Sequence, residues 1–230
     1  MHYIANGVKE ALRIIFSADP EFLAVVWVSL LVACISTTLT TVAGVPFGIF
    51  VGRSRFRGRQ AVIAVLNTLM SLPTVVVGLL VYSFLSRRGP LGGLGLLYTR
   101  SAMVIGQFIL AFPIIAALTV TAVRGLDERI DLTVKSLGAD SRQGFRMFLH
   151  EARFGILAAV IAGFGRVFAE IGVSMMLGGN IKAYTRNITT AIALETSKGE
   201  FALGIALGIV LLAVAFAING SLVVMQKKAK

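Results

Sequence analysis

Apolar residues run through this chain in five long stretches, separated by short polar intervals that are mostly basic. The stretches lie at about 22–48, 61–85, 102–123, 154–178 and 202–225. Each is longer than the ~20 residues an α-helix needs to cross a bilayer, so the pattern predicts five membrane-crossing helices. The first reads "FLAVVWVSLLVACISTTLTTVAGVPFG", and Gly44, Pro46 and Gly48 are expected to bend or end it. Pro73 falls in the middle of the second stretch and Pro113 in the middle of the third. Ahead of them, Ile4, Val8, Leu12 and Ile15 recur at helical spacing within "YIANGVKEALRIIF". That spacing predicts a helix within residues 1–20 that lies in the membrane interface and stops at the Asp19-Pro20 break. The expected fold is an all-α polytopic membrane protein.

The longest polar interval, 124–153, holds "LTVKSLGADSRQGFRMF" at 132–148. About thirty residues is too long for a plain connector between helices. Leu132, Leu137, Phe145 and Phe148 can share an apolar side, while Lys135, Asp140, Arg142 and Arg146 are available to water. Gly138-Ala139-Asp140-Ser141 reads as a break followed by a new start, with Asp140 or Ser141 as the N-cap. Two short helices joined at Gly138 would make a projecting elbow.

Composition agrees with the pattern. The chain is 57% hydrophobic and 14% charged, with a mean hydropathy of +0.86. Soluble domains average about 45–50% apolar and about 25% charged. The net charge of +11 falls mostly in short segments between apolar runs, which excludes nucleic acid as the partner and points to the lipid surface. The 52–60 loop carries Arg53, Arg55, Arg57 and Arg59 with no acid. With five crossings it shares a side with 124–153 and the "QKKAK" tail, for thirteen basic residues against eight on the other side. The positive-inside rule then places the N-terminus outside and the C-terminus in the cytoplasm. The one cysteine, Cys34, lies in an apolar run and cannot form an intrachain disulfide.

Two polar constellations interrupt the spans. Arg166 and Glu170 stand four residues apart on one helix face. Ionisable groups at membrane depth either pair to brace the fold or line a wet path, and both readings are open. Ser71, Pro73 and Thr74 interrupt the second stretch, as a packing kink or as a bend that lines a path. The Gly-rich "GPLGGLG" lacks the Lys-Ser or Lys-Thr of a phosphate loop, and no G-x-x-x-x-G-K-[ST] occurs anywhere. His2 and His150 are far apart and there is no His/Cys cluster, so no metal site and no catalytic residues are expected.

Leu137-Gly138-Ala139, with an amphipathic helix after it and roughly ninety residues before the C-terminus, resembles the coupling (EAA) loop of ABC importer permeases. Leu132, Thr133 and Val134 stand where that family carries Glu-Ala-Ala, with Asp131 only adjacent. "SLPTVVVGLLVY" (71–82) and "FGRVFAEIGVSMMLGGN" (164–180, with Arg166, Glu170, Gly172, Gly179 and Asn180) resemble segments of molybdate, tungstate and sulfate permeases. "GPLGGLGLLYT" (89–99) and "TRNITTAIALETSKGEFALGIALGIVLL" (185–212) are most similar to the tungstate type.

The resemblance implies a type I ABC importer permease fold: one transmembrane domain over 1–230, an interfacial helix at 1–20 and a cytoplasmic coupling elbow at 124–153. It implies that Leu137, Gly138, Ala139, Asp140, Ser141 and Phe145 couple the chain to an ATPase. Ser71, Pro73, Thr74, Arg166, Glu170 and Ser174 become candidates for the translocation path or gate. Five helices are few to enclose a path, so a homodimer in the prokaryotic inner membrane is expected. Its partners would be two ATP-binding cassette subunits, which hydrolyse the ATP, and an extracytoplasmic oxyanion-binding protein; this chain binds no cofactor. Molybdate or sulfate are the alternative substrates. A secondary transporter or channel would favour inverted repeats or rings of intramembrane charge, and neither is found.

Overall fold

Asp19 and Pro20 start the first long helix. The computed structural model describes residues 2–17, 19–126 and 140–227. A helix α1, His2–Ser17, precedes the break, with Ala11 fully buried and Ile14 and Ile15 packed inward. Its Leu12 faces out. The Asp19 side chain then accepts a hydrogen bond from the Phe22 N–H, and Pro20 occupies the first helical turn, where its missing N–H costs nothing.

Helix α2 runs from Pro20 to Arg53 without ending at Gly44–Gly48. Those glycines are a contact surface rather than a stop. Val28, Val32, Ser36, Thr40, Gly44, Gly48 and Gly52 are buried at four-residue spacing, most of them against α5, Arg100–Arg124. A Cβ on Gly48 would sit 2.6 Å from Thr119 Cβ and 2.7 Å from the Ala116 carbonyl oxygen, and one on Gly52 2.6 Å from Val123 Cγ1. Small residues let two helix backbones approach where lipid supplies no hydrophobic drive. Pro46 and Pro113 stay inside continuous helices. Cys34 is exposed on α2.

The second apolar stretch is not one helix. It divides into α3, Arg59–Met70, and α4, Thr74–Leu85, which meet at a 99° bend. Proline disfavours the helical conformation in the residue before it and lacks an N–H for the helix, so Leu72-Pro73 ends one helix and Pro73 caps the next. The Pro73 carbonyl accepts the N–H groups of Val76 and Val77. Among the described residues four helices are long and apolar enough to cross a membrane, five when this bent pair counts as one.

The fourth stretch also departs from expectation. Helix α6, Ser141–Phe168, runs unbroken from the polar interval into the apolar stretch, so the amphipathic helix and the span are one rod. Asp140 caps it as expected, accepting the Gln143 N–H at 2.7 Å while its own N–H donates to the Gln143 side chain. The rod stops at Ala169–Ile171, and a separate short helix α7, Gly172–Gly178, follows. Gly179, Asn180 and Ala183 all take positive φ in the turn that comes next. Helix α8, Ile188–Lys198, fills part of what reads in sequence as a loop, capped by Asn187 and Thr190. Helix α9, Phe201–Lys227, completes the bundle. Helix α5 lies at its centre with Met103, Ala111 and Ile115 fully buried. Ala11, Phe22, Val167, Phe168, Ile188 and Leu207 close a core between α1, α2, α6, α8 and α9.

The close α2–α5 approach sets up a contrast between two glycines. Gly48→Ala is expected to lower stability by ~1–3 kcal/mol through overpacking, read as a lower thermal midpoint of the purified protein in detergent. Gly44→Ala should stay near wild type, because its methyl would meet Ile115 at an ordinary 3.4 Å. Equal midpoints for the two variants would show that the glycine stripe does not set the helix spacing.

Candidate functional site

The two helix breaks lie against each other. A Cβ on Gly172, the first residue of α7, would sit 2.9 Å from Thr74 Oγ1, the first residue of α4, and 3.3 Å from Glu170 Oε1. Helix α7 is held between neighbours by further glycines. Gly78 of α4 approaches Val173 and Met176, and Gly106 of α5 leaves room for Val173 and Leu177. Of the candidate path residues, the fold therefore brings Thr74, Arg166 and Glu170 together around one junction.

Glu170 is the buried centre of that junction, with 2% of its side chain exposed. One carboxylate oxygen accepts from Arg166 Nη1 at 2.7 Å and the other from the Val173 N–H at 3.2 Å. The Glu170 carbonyl accepts the Thr189 hydroxyl of α8 at 2.8 Å. Glutamate thus supplies an acceptor to the first turn of α7, where backbone donors have none of their own. Arg166 differs from its partner, with 37% of its side chain exposed. Ser71 and Pro73 are exposed and Thr74 half-buried, and beside them Val75, Val76, Leu79, Ile171 and Met175 also face outward.

Ser174 is not on that outward face. It is fully buried, and its hydroxyl accepts from Gln107 Nε2 at 3.3 Å; Gln107 Oε1 in turn accepts from Ser36 at 3.0 Å. This chain of polar groups joins α2, α5 and α7 inside the bundle. Sequence reasoning missed Ser36 and Gln107. The one signal was Gln107 itself, the lone amide in the apolar stretch 102–123. A shallow groove of about 590 Å³ borders the same region, lined by Leu79, Tyr82, Tyr98, Met175, Met176, Gly179 and Ile181. The Tyr82 and Tyr98 hydroxyls share a hydrogen bond of 3.4 Å. That bond, and then burial, holds the Tyr98 hydroxyl above its ordinary pKa.

At the elbow, Leu137, Gly138 and Ala139 lie outside the described residues. Asp140 is the cap of α6 and Ser141 its first residue. Phe145 is half exposed and stacks at 6.3 Å on Phe148, which is buried. The Arg53 guanidinium lies 4.8 Å above the Phe148 ring, tying the end of α2 to the start of α6. Among the described residues no group of three His, Cys, Asp or Glu side chains could hold a metal ion.

Comparison with known proteins agrees with this architecture. Residues 44–230 match the model of the family described as binding-protein-dependent transport system inner membrane component. The chain is 40% identical to the tungstate uptake system permease protein TupB of Peptoclostridium acidaminophilum, over 99% of this chain and all of that one. It is 42% identical to the protein of the same name from Campylobacter jejuni, over 95% of this chain and 92% of that one. A chain in the crystal structure of a bacterial alginate ABC transporter superposes with a TM-score of 0.75 at 17% identity, covering all of this chain and 89% of that one, which is a likeness of fold. With its helical membrane architecture and a family match over most of its length, this chain belongs to the inner membrane components of binding-protein-dependent transport systems, as a permease that is not itself the ATPase.

Proposed function

We propose that this permease carries tungstate inward, as a homodimer engaged by two ATP-binding cassette subunits in the cytoplasm and by an extracytoplasmic oxyanion-binding protein. The observation that carries the substrate is near-full-length similarity, at 40% and 42% identity, to two permeases named for tungstate uptake. In this reading residues 1–230 form one transmembrane domain, with the N-terminus outside and the C-terminus in the cytoplasm. The loop charges support that orientation, with four arginines and no acid at 52–60.

The geometry supports a mechanism. The ATPase acts on an elbow at Leu137, Gly138, Ala139, Asp140, Ser141 and Phe145. Helix α6 spans 28 residues from that elbow to the junction, a stiff rod of about 42 Å at ~1.5 Å per residue. Displacement at its capped end reaches Glu170, and Glu170 stands beside Thr74 at the start of α4. Rocking of α6 therefore moves both helix breaks together, and alternating access follows when two copies face each other across the surface of Ser71, Pro73 and Thr74. Glu170 is the brace, because it is buried and both its carboxylate oxygens are engaged. Arg166, held by Glu170 yet partly exposed, presents its remaining donors to the passing dianion. Ser174 acts from inside, fixing α7 through Gln107.

Substrate and coupling are tested together. The permease, its ATPase and its binding protein in proteoliposomes should accumulate radiolabelled tungstate only with ATP. Preferential accumulation of molybdate or sulfate would reassign the substrate, and uptake without the ATPase would refute an ATP-driven importer. Gly138→Trp should leave ATP hydrolysis running while uptake falls to background; normal coupled uptake in that variant would remove the elbow from the mechanism.

The junction separates brace from path. Glu170→Leu is expected to cost about 2 kcal/mol, because it strands the Val173 N–H and unpairs an arginine that solvent partly screens. A lower thermal midpoint in detergent would show this. Arg166→Lys keeps the positive charge beside Glu170 but loses the guanidinium's other donors, so it should fold normally and lose at least about tenfold in uptake, as expected when one charge-assisted contact of ~1.5–3 kcal/mol is lost. Unchanged uptake by Arg166→Lys would leave the pair as a brace alone.

A further inference from the structure

The loop between α2 and α3 carries arginine at every second position, Arg53, Arg55, Arg57 and Arg59, and the structure divides their tasks. Arg53 lies over the Phe148 ring. Arg59 donates from Nε to the Val51 carbonyl at 2.9 Å and from Nη2 to the Gly52 carbonyl, closing the C-terminus of α2. Arg55 and Arg57 are exposed and make no ion pair or hydrogen bond among the described residues. No acidic residue occurs in the loop to neutralise them.

Between them stands Phe56, whose ring stacks on Phe50 of α2 at 5.8 Å and 18°. Both rings are exposed, Phe50 at 57% and Phe56 at 38%. The loop joins a membrane-crossing helix directly to the bent pair, and only residues 54–58 lie between the helices. The apolar run of α2 ends at Val51 and arginines follow at 53, 55, 57 and 59, the charge pattern that marks the membrane–water boundary. Exposed rings at the end of an apolar helix therefore lie at the edge of the hydrocarbon, and the guanidinium groups beside them reach headgroup depth. Arg55, Phe56, Arg57, Gly58, Arg59 and Gln60 line an open depression of about 500 Å³ there.

We propose that Arg55 and Arg57 bind the phosphate of an anionic phospholipid, with Phe50 and Phe56 packed against its acyl–glycerol region. Planar guanidinium groups present forked donors to phosphate oxygens, and the loop's acid-free positive charge favours an anionic headgroup over a zwitterionic one, whose ammonium cancels the phosphate charge. The lipid sits beside the two arginines that hold the loop to α2 and to the start of α6, so it steadies the elbow end of the coupling rod. The inference does not depend on which side of the membrane the loop faces, nor on the substrate.

The test is native mass spectrometry of the full permease, copurified with its ATPase subunits. It is titrated with dioleoylphosphatidylglycerol or with dioleoylphosphatidylcholine. The wild type should retain phosphatidylglycerol in preference to phosphatidylcholine, and retention in the complex excludes the ATPase as the occupant of the loop. Phosphatidylglycerol affinity should fall about fivefold for R55Q or R57Q alone and on the order of twentyfold for both, with phosphatidylcholine unchanged. The R87Q/R88Q variant removes equal charge from another loop and should keep wild-type affinity. Should the double variant not fold, the single variants carry the test. An unchanged affinity in R55Q and R57Q, an equal loss in R87Q/R88Q, or displacement of the lipid by millimolar inorganic phosphate would overturn the proposal.

Discussion

A helix that breaks within the bilayer must find partners for the backbone groups it frees, because no water is there to serve them. The rest of the structure follows from how this chain meets that demand twice. At Ser71–Pro73 the freed groups are few, since proline brings no N–H, and its carbonyl takes the N–H groups of Val76 and Val77. At Ala169–Ile171 the carboxylate of Glu170 accepts the Val173 N–H, and the Thr189 hydroxyl donates to the Glu170 carbonyl. The two breaks lie side by side, each with its own acceptors. Gly172 permits the approach, since any side chain there would crowd Thr74 and Glu170.

The cost of that arrangement is a carboxylate at membrane depth, and the ion pair with Arg166 offsets it. The pair is asymmetric. Glu170 is enclosed by backbone and by Arg166, whereas Arg166 reaches the surface. A symmetrical, fully buried pair would brace the fold and leave nothing to present to an anion. In the proposed transport cycle a partly exposed arginine tethered by a buried glutamate serves both roles. The continuity of α6 matters for the same reason. A rod that begins at a capped polar end and finishes at the junction has no joint in which motion could be lost.

Three prolines lie within the apolar stretches, and only one breaks its helix. Pro46 and Pro113 look in sequence much like Pro73, yet α2 and α5 continue through them. The difference is packing. The α2–α5 contact is closely packed on either side of Pro46 by Gly44, Gly48 and Gly52 and by the Phe47–Phe112 ring contact at 5.6 Å. Helix α4 is instead drawn toward α7, where Gly78 meets Val173 and Met176. The glycines of α2 carry the same ambiguity: they read as a helix end, and they serve as a docking stripe. Ser174 could be named from its neighbours in the chain, but Gln107 and Ser36, which hold it, stand 67 and 71 positions from their partners.

The sequence by itself determined the five apolar stretches, the Asp140 cap, the break after Asp19 and the motifs that place the chain in its family. Those features depend on hydrophobic runs and on hydrogen bonds that close within three or four residues, so they are local and legible. Only the tertiary structure decided which proline breaks, that the amphipathic helix and the fourth span are one rod, that α8 exists, and that Thr74 and Glu170 both lie against Gly172. Each of those outcomes is a competition between a local preference and contacts with residues distant in the chain. In a bilayer, close packing and the need to satisfy every freed backbone group decide that competition.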